Sequence, residues 1–154
     1  MTKPDPKYET ALAAHYLKLA QDRIETQCNW FIDAFCSADV AKQMAQFGAS
    51  FRSSGHGVDK HSFATPLGEI KVRFAKRLEQ PYLGVAAVFS YENQKAEDEQ
   101  FFTVYMNHQS PWVDSTGHQF QTEFSNEMPK WFEAAQLIHR VMAALLQKLD
   151  EAVG

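Results

Sequence analysis

The sequence predicts an α+β fold with two N-terminal helices, an antiparallel meander of four or five strands, and a long C-terminal helix packed on the sheet. Two observations lead to this prediction. At both ends of the chain, apolar residues recur at spacings of three to five, as they do on one face of an amphipathic helix. Between residues 49 and 124 the apolar period changes to two, and Gly, Pro and Asn interrupt it, which is typical of successive strands.

The first helix is predicted to start after Pro4 and Pro6 and to carry one long apolar stripe. A second, short helix is expected from Ala38 to Phe47, because Ser37 is a suitable N-cap and Gly48 can end a helix. The stripe of the first helix consists of Tyr8, Leu12, Tyr16, Leu19, Ile24, Cys28, Phe31 and Phe35.

The strongest strand signal is Glu69 to Glu79, where apolar and basic residues alternate. Gln80 and Pro81 then turn the chain into a second strand, Tyr82 to Glu92. Proline cannot adopt positive φ, so a two-residue primed turn is disfavoured and a four-residue loop is expected. Such a loop predicts four pairs: Val72 with Phe89, Phe74 with Ala87, Arg73 with Val88, and Arg77 with Gly84.

Weaker signals complete the meander and the C-terminal helix. Shorter strands are expected at Ala49 to Ser54, His61 to Thr65, Glu99 to His108 and Gln119 to Phe124, with Trp112 and Val113 as a short extension. The last helix is expected at about Pro129 to Ala152, with proline in its first turn. Its apolar stripe is Trp131, Ala135, Ile138, Met142, Leu145 and Leu149.

Composition limits the class of protein. A chain of 154 residues is long enough for one domain with one core, and we expect residues 1–154 to form a single α+β domain. The net charge of −4 makes nucleic acid an unlikely partner and argues against attraction to an anionic membrane. No apolar run approaches the roughly 20 residues that span a bilayer.

The two cysteines, Cys28 and Cys36, lie in the first predicted helix. Eight helical residues separate their α-carbons by about 12 Å, which exceeds the reach of a disulfide. Their apolar surroundings predict buried, unreactive thiols. Without a disulfide or a secretory segment, the expected location is the cytoplasm.

Basic and aromatic residues point to a binding function. Lys71, Arg73 and Arg77 share one strand face, and arginine can bind a phosphate or carboxylate through two hydrogen bonds. The chain also contains twelve Phe, five Tyr and three Trp. We therefore hypothesise a non-enzymatic binding or adaptor domain without a cofactor, which uses an aromatic sheet surface or a sheet–helix cavity to bind a protein segment or small apolar ligand. The candidate ligand-binding residues are Arg73, Arg77, Tyr105 and Trp112.

The alternative hypothesis is a small metal-assisted or histidine-based enzyme centred on the loop from Gly55 to His61. Neutral imidazoles bind zinc, and His56 and His61 lie five residues apart in a glycine-containing segment. This spacing matches no established metal motif, so a third ligand has to come from elsewhere in the chain. The candidates are His118, His108 and Asp114, and the proposed zinc set is His56, His61 and His118.

Self-association is the last expectation. A domain rich in aromatic residues and of modest charge can leave apolar surface exposed, and twofold pairing covers such a patch with its own copy. We expect a homodimer through an edge of the meander or the outer face of the first helix, near Tyr8, Tyr16 and Trp30.

Overall fold

The structure is a computed structural model that describes residues 6–53, 61–79, 82–106, 112–120, 122–125, 128–132 and 134–153. Its helices are α1 (Pro6–Cys36), α2 (Ala38–Ala45) and α3 (Ala134–Val153). Its strands are β1 (Ser50–Ser53), β2 (His61–Thr65), β3 (Gly68–Glu79), β4 (Tyr82–Glu92), β5 (Asp98–Met106), β6 (Trp112–Asp114), β7 (Gln119–Phe120), β8 (Thr122–Ser125) and β9 (Met128–Phe132).

Strands β1 to β7 form one antiparallel sheet in which spatial order follows chain order. The predicted α+β class and antiparallel meander are therefore confirmed. The predicted number of strands was too low, because seven strands form this sheet and β8 and β9 form a separate hairpin. Strands β6 and β7 have only 3 and 2 residues, which is too short for an apolar period to be visible in the sequence.

The predicted register between β3 and β4 is confirmed. The partners are Val72 with Phe89, Phe74 with Ala87, Arg73 with Val88, and Arg77 with Gly84. The predicted four-residue loop was too long, because the ladder continues to the pair Glu79 and Tyr82 and leaves two residues between the strands. Those two residues, Gln80 and Pro81, lie outside the described part of the chain.

The helix ends differ from the prediction in two helices, and α2 ends at Ala45 rather than at Phe47. Ser37 caps α2 as expected, since its hydroxyl accepts a hydrogen bond from the amide of Val40. Helix α3, however, begins at Ala134 rather than near Pro129, because Met128–Phe132 forms β9 and pairs with β8. The helical spacing of Trp131 and Ala135 suggested the earlier start, but the hairpin provides strand partners for this segment.

One face of the sheet, called the inner face below, packs against the helices. It carries Phe63, Ile70 and Phe89, each 0% exposed. Helix α1 contributes Phe31 and Phe35, helix α2 contributes Met44, and helix α3 contributes Leu137, Ile138, Val141 and Leu145. The aromatic residues thus supply much of this core.

Among the described residues, no helix has an apolar stretch long enough to cross a membrane.

The two cysteines have different environments. Cys28 is buried in the core, as predicted, whereas Cys36 is exposed at the end of α1, so the prediction of two buried thiols was wrong for Cys36. Burial, followed by the nearby Glu25 carboxylate, raises the pKa of the Cys28 thiol to about 12. Both cysteines are free, which agrees with their separation along the helix.

Candidate functional site

The face of the sheet opposite the helices, called the outer face below, contains the basic and aromatic residues suggested by the sequence. Arg73 on β3 lies opposite Val88 on β4, and Val88 lies opposite Thr103 on β5. In the next row, the sheet aligns Ala75, Ala86, Tyr105 and Val113 across four strands. Register therefore brings residues that are far apart in sequence onto one surface.

Strand β4 presents small side chains on this face. Ala86, Val88 and Ser90 are only 5%, 6% and 8% exposed, although none of them belongs to the core beneath the helices. Exposed Arg73 and half-buried Tyr105 lie on the strands on either side. We call this surface the β4 trough: a floor of Ala86, Val88 and Ser90 between Arg73 on β3 and Tyr105 on β5.

The dimensions of the β4 trough follow from strand geometry. Neighbouring strands lie about 4.8 Å apart, so its flanks on β3 and β5 are separated by roughly 10 Å. Gly84 belongs to the same outer face as Ser90, and the six residue steps from one to the other extend about 20 Å. The trough therefore has the width of one extended chain and the length of about six residues.

Charge is unequally distributed around the trough. On β3, Lys71 is bound to Asp98, with 3.1 Å between its Nζ and the Oδ1 atom. The hydrogen bond to Asp98, with a further electrostatic contribution from the same carboxylate, raises the pKa of Lys71. Arg73 forms no ion pair with any side chain that the structure describes. The opposite flank is uncharged and consists of Thr103, Tyr105 and Val113.

The four sequence-predicted ligand residues do not all share this surface. Arg73 and Tyr105 face the β4 trough, and Arg77 occupies an outer-face position opposite Gly84, although its side chain lies outside the described part. Trp112 is instead 0% exposed and belongs to the core. Its ring packs edge-on against Trp30, with 5.5 Å between the ring centroids.

Two of the histidines suggested for a metal site are described, His61 on β2 and His118 just before β7. His61 lies on β2 and is 2% exposed, with its Nδ1 atom 2.9 Å from the hydroxyl of Ser53. His118 precedes β7 and contacts Phe120, while His56 lies outside the described residues. In the part of the chain that the structure describes, no three His, Cys, Asp or Glu side chains are grouped as metal ligands.

A buried polar cluster joins the turn after β6 to helix α3. The carboxylate of Asp114 accepts hydrogen bonds from Arg140, from the amide and hydroxyl of Thr116, and from the amide of His118. Burial alone would raise the pKa of Asp114, but the hydrogen bonds from Thr116, Arg140 and His118 outweigh it and lower the pKa. Since every partner stabilises the charged carboxylate, the cluster is a structural link. Its members are separated by up to 26 residues, so no local pattern in the sequence predicts it.

A second surface depression lies between the β4–β5 hairpin and the end of α3. This open groove has a volume of about 560 Å³ and a largely charged lining. The hydroxyl of Tyr91 donates to Glu99 over 2.7 Å, which is the main cause of the lowered pKa of Glu99. Lys148 lies 3.7 Å from the same carboxylate. The lining also includes Glu92, Lys95, Glu97 and Glu151, so the groove has a mainly acidic character, unlike the β3 side of the β4 trough.

Comparisons with protein-family models, with curated proteins and with solved structures found no match to this chain.

Proposed function

We propose that this protein is a non-enzymatic binding domain that holds an extended segment of a partner protein in the β4 trough. The observation that carries the proposal is the strand register that places Arg73 and Tyr105 on opposite sides of the small residues Ala86 and Val88. Rows of side chains on either side of a low floor are suited to an extended chain, which has a similar width. A rigid sheet also fixes these groups before binding, which lowers the entropy cost of association.

The core beneath the helices favours this surface over a sheet–helix cavity as the ligand site. Phe31, Phe63 and Phe89 are each 0% exposed, as are Ile138 and Trp112. A cavity large enough for a ligand would give the side chains that line it measurable accessible area. None of these five side chains therefore lines such a cavity.

The shape of the trough favours a protein segment over a small apolar ligand. Small-ligand sites are usually concave pockets that bury most of the ligand surface. The β4 trough is about 20 Å long, which exceeds the length of most small apolar ligands but matches an extended chain. An extended chain can use its whole length.

The histidine-centred zinc enzyme stays the alternative. Residues 54–60, including His56, lie outside the described part of the chain, so the geometry of the proposed ligand set His56, His61 and His118 stays a prediction. The Ser53 hydroxyl beside His61 supports a structural role for that ring. Metal analysis of the purified protein separates the two functions, because stoichiometric zinc would favour the enzyme.

Selection of peptides tests the binding function directly. Random peptides displayed on phage would be selected on the immobilised wild-type protein, and affinities of the enriched peptides would be measured by fluorescence polarisation. Val88→Trp fills the floor of the trough without adding charge, and Tyr105→Ala removes one flank. Each should weaken binding by about tenfold or more, the effect of losing a central interface residue.

Ser62→Trp is the matched control, since Ser62 belongs to the same outer face but lies on β2, outside the trough. It should leave affinity within about twofold of wild type, as expected for a residue outside an interface. Circular dichroism and denaturant unfolding would establish that all three variants are folded. Enrichment of no peptide, or equal losses with Ser62→Trp and Val88→Trp, would contradict the proposed function.

A further inference from the structure

We infer that the segment held in the β4 trough is acidic, with a carboxylate paired to Arg73 and apolar side chains directed toward Tyr105. This inference rests on the proposed function and specifies the chemistry of its partner. It follows from the positive charge of Arg73 on the β3 flank, the uncharged side chains on the β5 flank, and the low exposure of the floor residues between them.

Charge on the β3 flank is available at Arg73 but not at Lys71. Lys71 is neutralised by Asp98, and Glu69 lies two residues away on the same strand face. Arg73 is exposed and has no ion-pair partner among the described side chains. An acidic group on a partner could therefore pair with Arg73, whereas the charge of Lys71 is already paired with Asp98.

The surroundings of Arg73 strengthen such a pair. Its neighbour across β4 is Val88, which is 6% exposed and apolar. A segment lying over this floor excludes water from one side of the guanidinium, and a hydrogen bond to a charged group is stronger where the local dielectric is lower. The planar guanidinium can also bind both oxygens of a carboxylate, which adds orientation to the attraction.

The β5 flank selects a different kind of side chain. Thr103 and Tyr105 carry no charge and are half-buried, and so is Val113, which lies beside Tyr105 on β6. Placing a carboxylate there would remove water from it without providing a cation, which is costly. An aromatic or aliphatic side chain would instead bury apolar area against the ring of Tyr105.

Chain geometry combines these two preferences into a pattern. Successive side chains of an extended segment point to opposite sides. If the segment lies along β4, one set of alternate side chains is directed toward Arg73 and the other toward Tyr105. The partner sequence is therefore expected to place one acidic residue opposite Arg73 and apolar residues at the alternate positions that face Tyr105, within the roughly six positions that the trough accommodates.

Three matched peptide libraries test this inference. In each, apolar residues alternate with one polar class: Asp and Glu in the first, Asn and Gln in the second, Lys and Arg in the third. On wild-type protein the acidic library should give affinities about tenfold higher than the amide library, which corresponds to one effective charge pair. Arg73→Glu should abolish this preference and favour the basic library.

Arg52→Glu is the matched control, because Arg52 is exposed on the same outer face but lies on β1, outside the trough. It should leave the acidic preference intact. Added salt should weaken binding of the acidic peptides, because screening reduces the charge pair.

The outcomes separate this inference from the proposed function. Equal binding of acidic and amide libraries, still blocked by Val88→Trp, would overturn the acidic segment while leaving the trough as a binding surface. Binding that neither Val88→Trp nor Tyr105→Ala affects would overturn the trough itself. A single-stranded RNA oligonucleotide that bound more tightly than the acidic peptides and was lost with Arg73→Glu would also overturn the inference, since the available cation would then serve nucleic acid.

Discussion

The Oδ2 atom of Asp114 lies 3.0 Å from Nε of Arg140, and this ion pair joins the turn after β6 to helix α3. The Asp114 side chain is 0% exposed, whereas that of Arg140 is 31% exposed. Because the partners of Asp114 lower its pKa in the folded state, its ionisation favours folding at neutral pH.

Asp114→Asn should lower the free energy of unfolding at pH 7 by about 1.5–3 kcal/mol, the usual contribution of a hydrogen bond to a charged group. A group whose pKa is depressed by folding stabilises the protein above its unfolded pKa, about 3.9 for Asp, and loses that contribution as pH falls through the folded pKa. The difference between wild type and variant should therefore shrink in urea melts below about pH 4.

Asp98→Asn is the control for that measurement. Its ion pair with Lys71 is exposed, with side-chain exposures of 53% and 47%, so solvent screens the pair and the loss should be much smaller than that for Asp114→Asn. Equal losses for Asp98→Asn and Asp114→Asn, or a difference at Asp114 that does not change with pH, would contradict a structural role for the buried pair.

The buried face of α3 should respond strongly to truncation. Ile138 is 0% exposed, so Ile138→Ala should destabilise the protein by about 2–5 kcal/mol through lost apolar contact and a residual cavity. Leu146 is the matched control on the same helix, since it is 51% exposed, and Leu146→Ala should cost less than about 0.5 kcal/mol. Denaturant unfolding measures the loss of stability in each variant. Similar losses for the two variants would contradict the assignment of Ile138 to the buried face of α3.

The two thiols should differ in reactivity. Cys28 is buried and has a pKa raised to about 12, so almost none of it is thiolate at pH 8. Cys36 is exposed, although burial of part of its surface and the Asp33 carboxylate raise its pKa as well. Ellman's reagent should therefore titrate one thiol per folded chain, slowly, and two after unfolding. Rapid reaction of both thiols in the folded protein would contradict the packing of α1.

Self-association stays a prediction that the structure allows us to sharpen. Leu12 on α1 is 40% exposed, whereas Trp30 packs against Trp112, and the side chains of Tyr8 and Tyr16 lie outside the described part. If α1 mediates a homodimer, Leu12→Lys should reduce the dimer population in light scattering by about tenfold or more, the effect of losing one central contact. A mass that stays near 17.5 kDa at all concentrations would reject the dimer.

The sequence predicted the β3–β4 ladder because both strands are long and one turn sets their register. Pairs such as Arg73 with Val88 depend only on the alternation of neighbouring residues and on the turn between them. The location of Trp112 in the core could not be obtained in this way. It depends on contact with Trp30, 82 residues earlier in the chain, for which sequence periodicity gives no information.

The candidate site was predictable only in part for the same reason. Arg73 could be identified from its strand face, but the opposing flank required the register of β4 with β5. That register is interrupted by a bulge between Phe89 and Ser90, which a regular alternation does not anticipate. The small residues of β4 could not be recognised as part of a site from the sequence. Ala86 and Val88 form a floor only because neighbouring strands carry longer side chains, and this depends on the register of the sheet.

Titration of isotope-labelled protein with the tightest-binding acidic peptide tests the β4 trough most directly. Two-dimensional amide spectra report which backbone positions change on binding. We predict that the largest shifts cluster at Arg73, Val88 and Tyr105, and that Val88→Trp abolishes them. Shifts centred instead on Tyr91 and Lys148, in the groove at the end of α3, would contradict the assignment of the β4 trough as the binding surface.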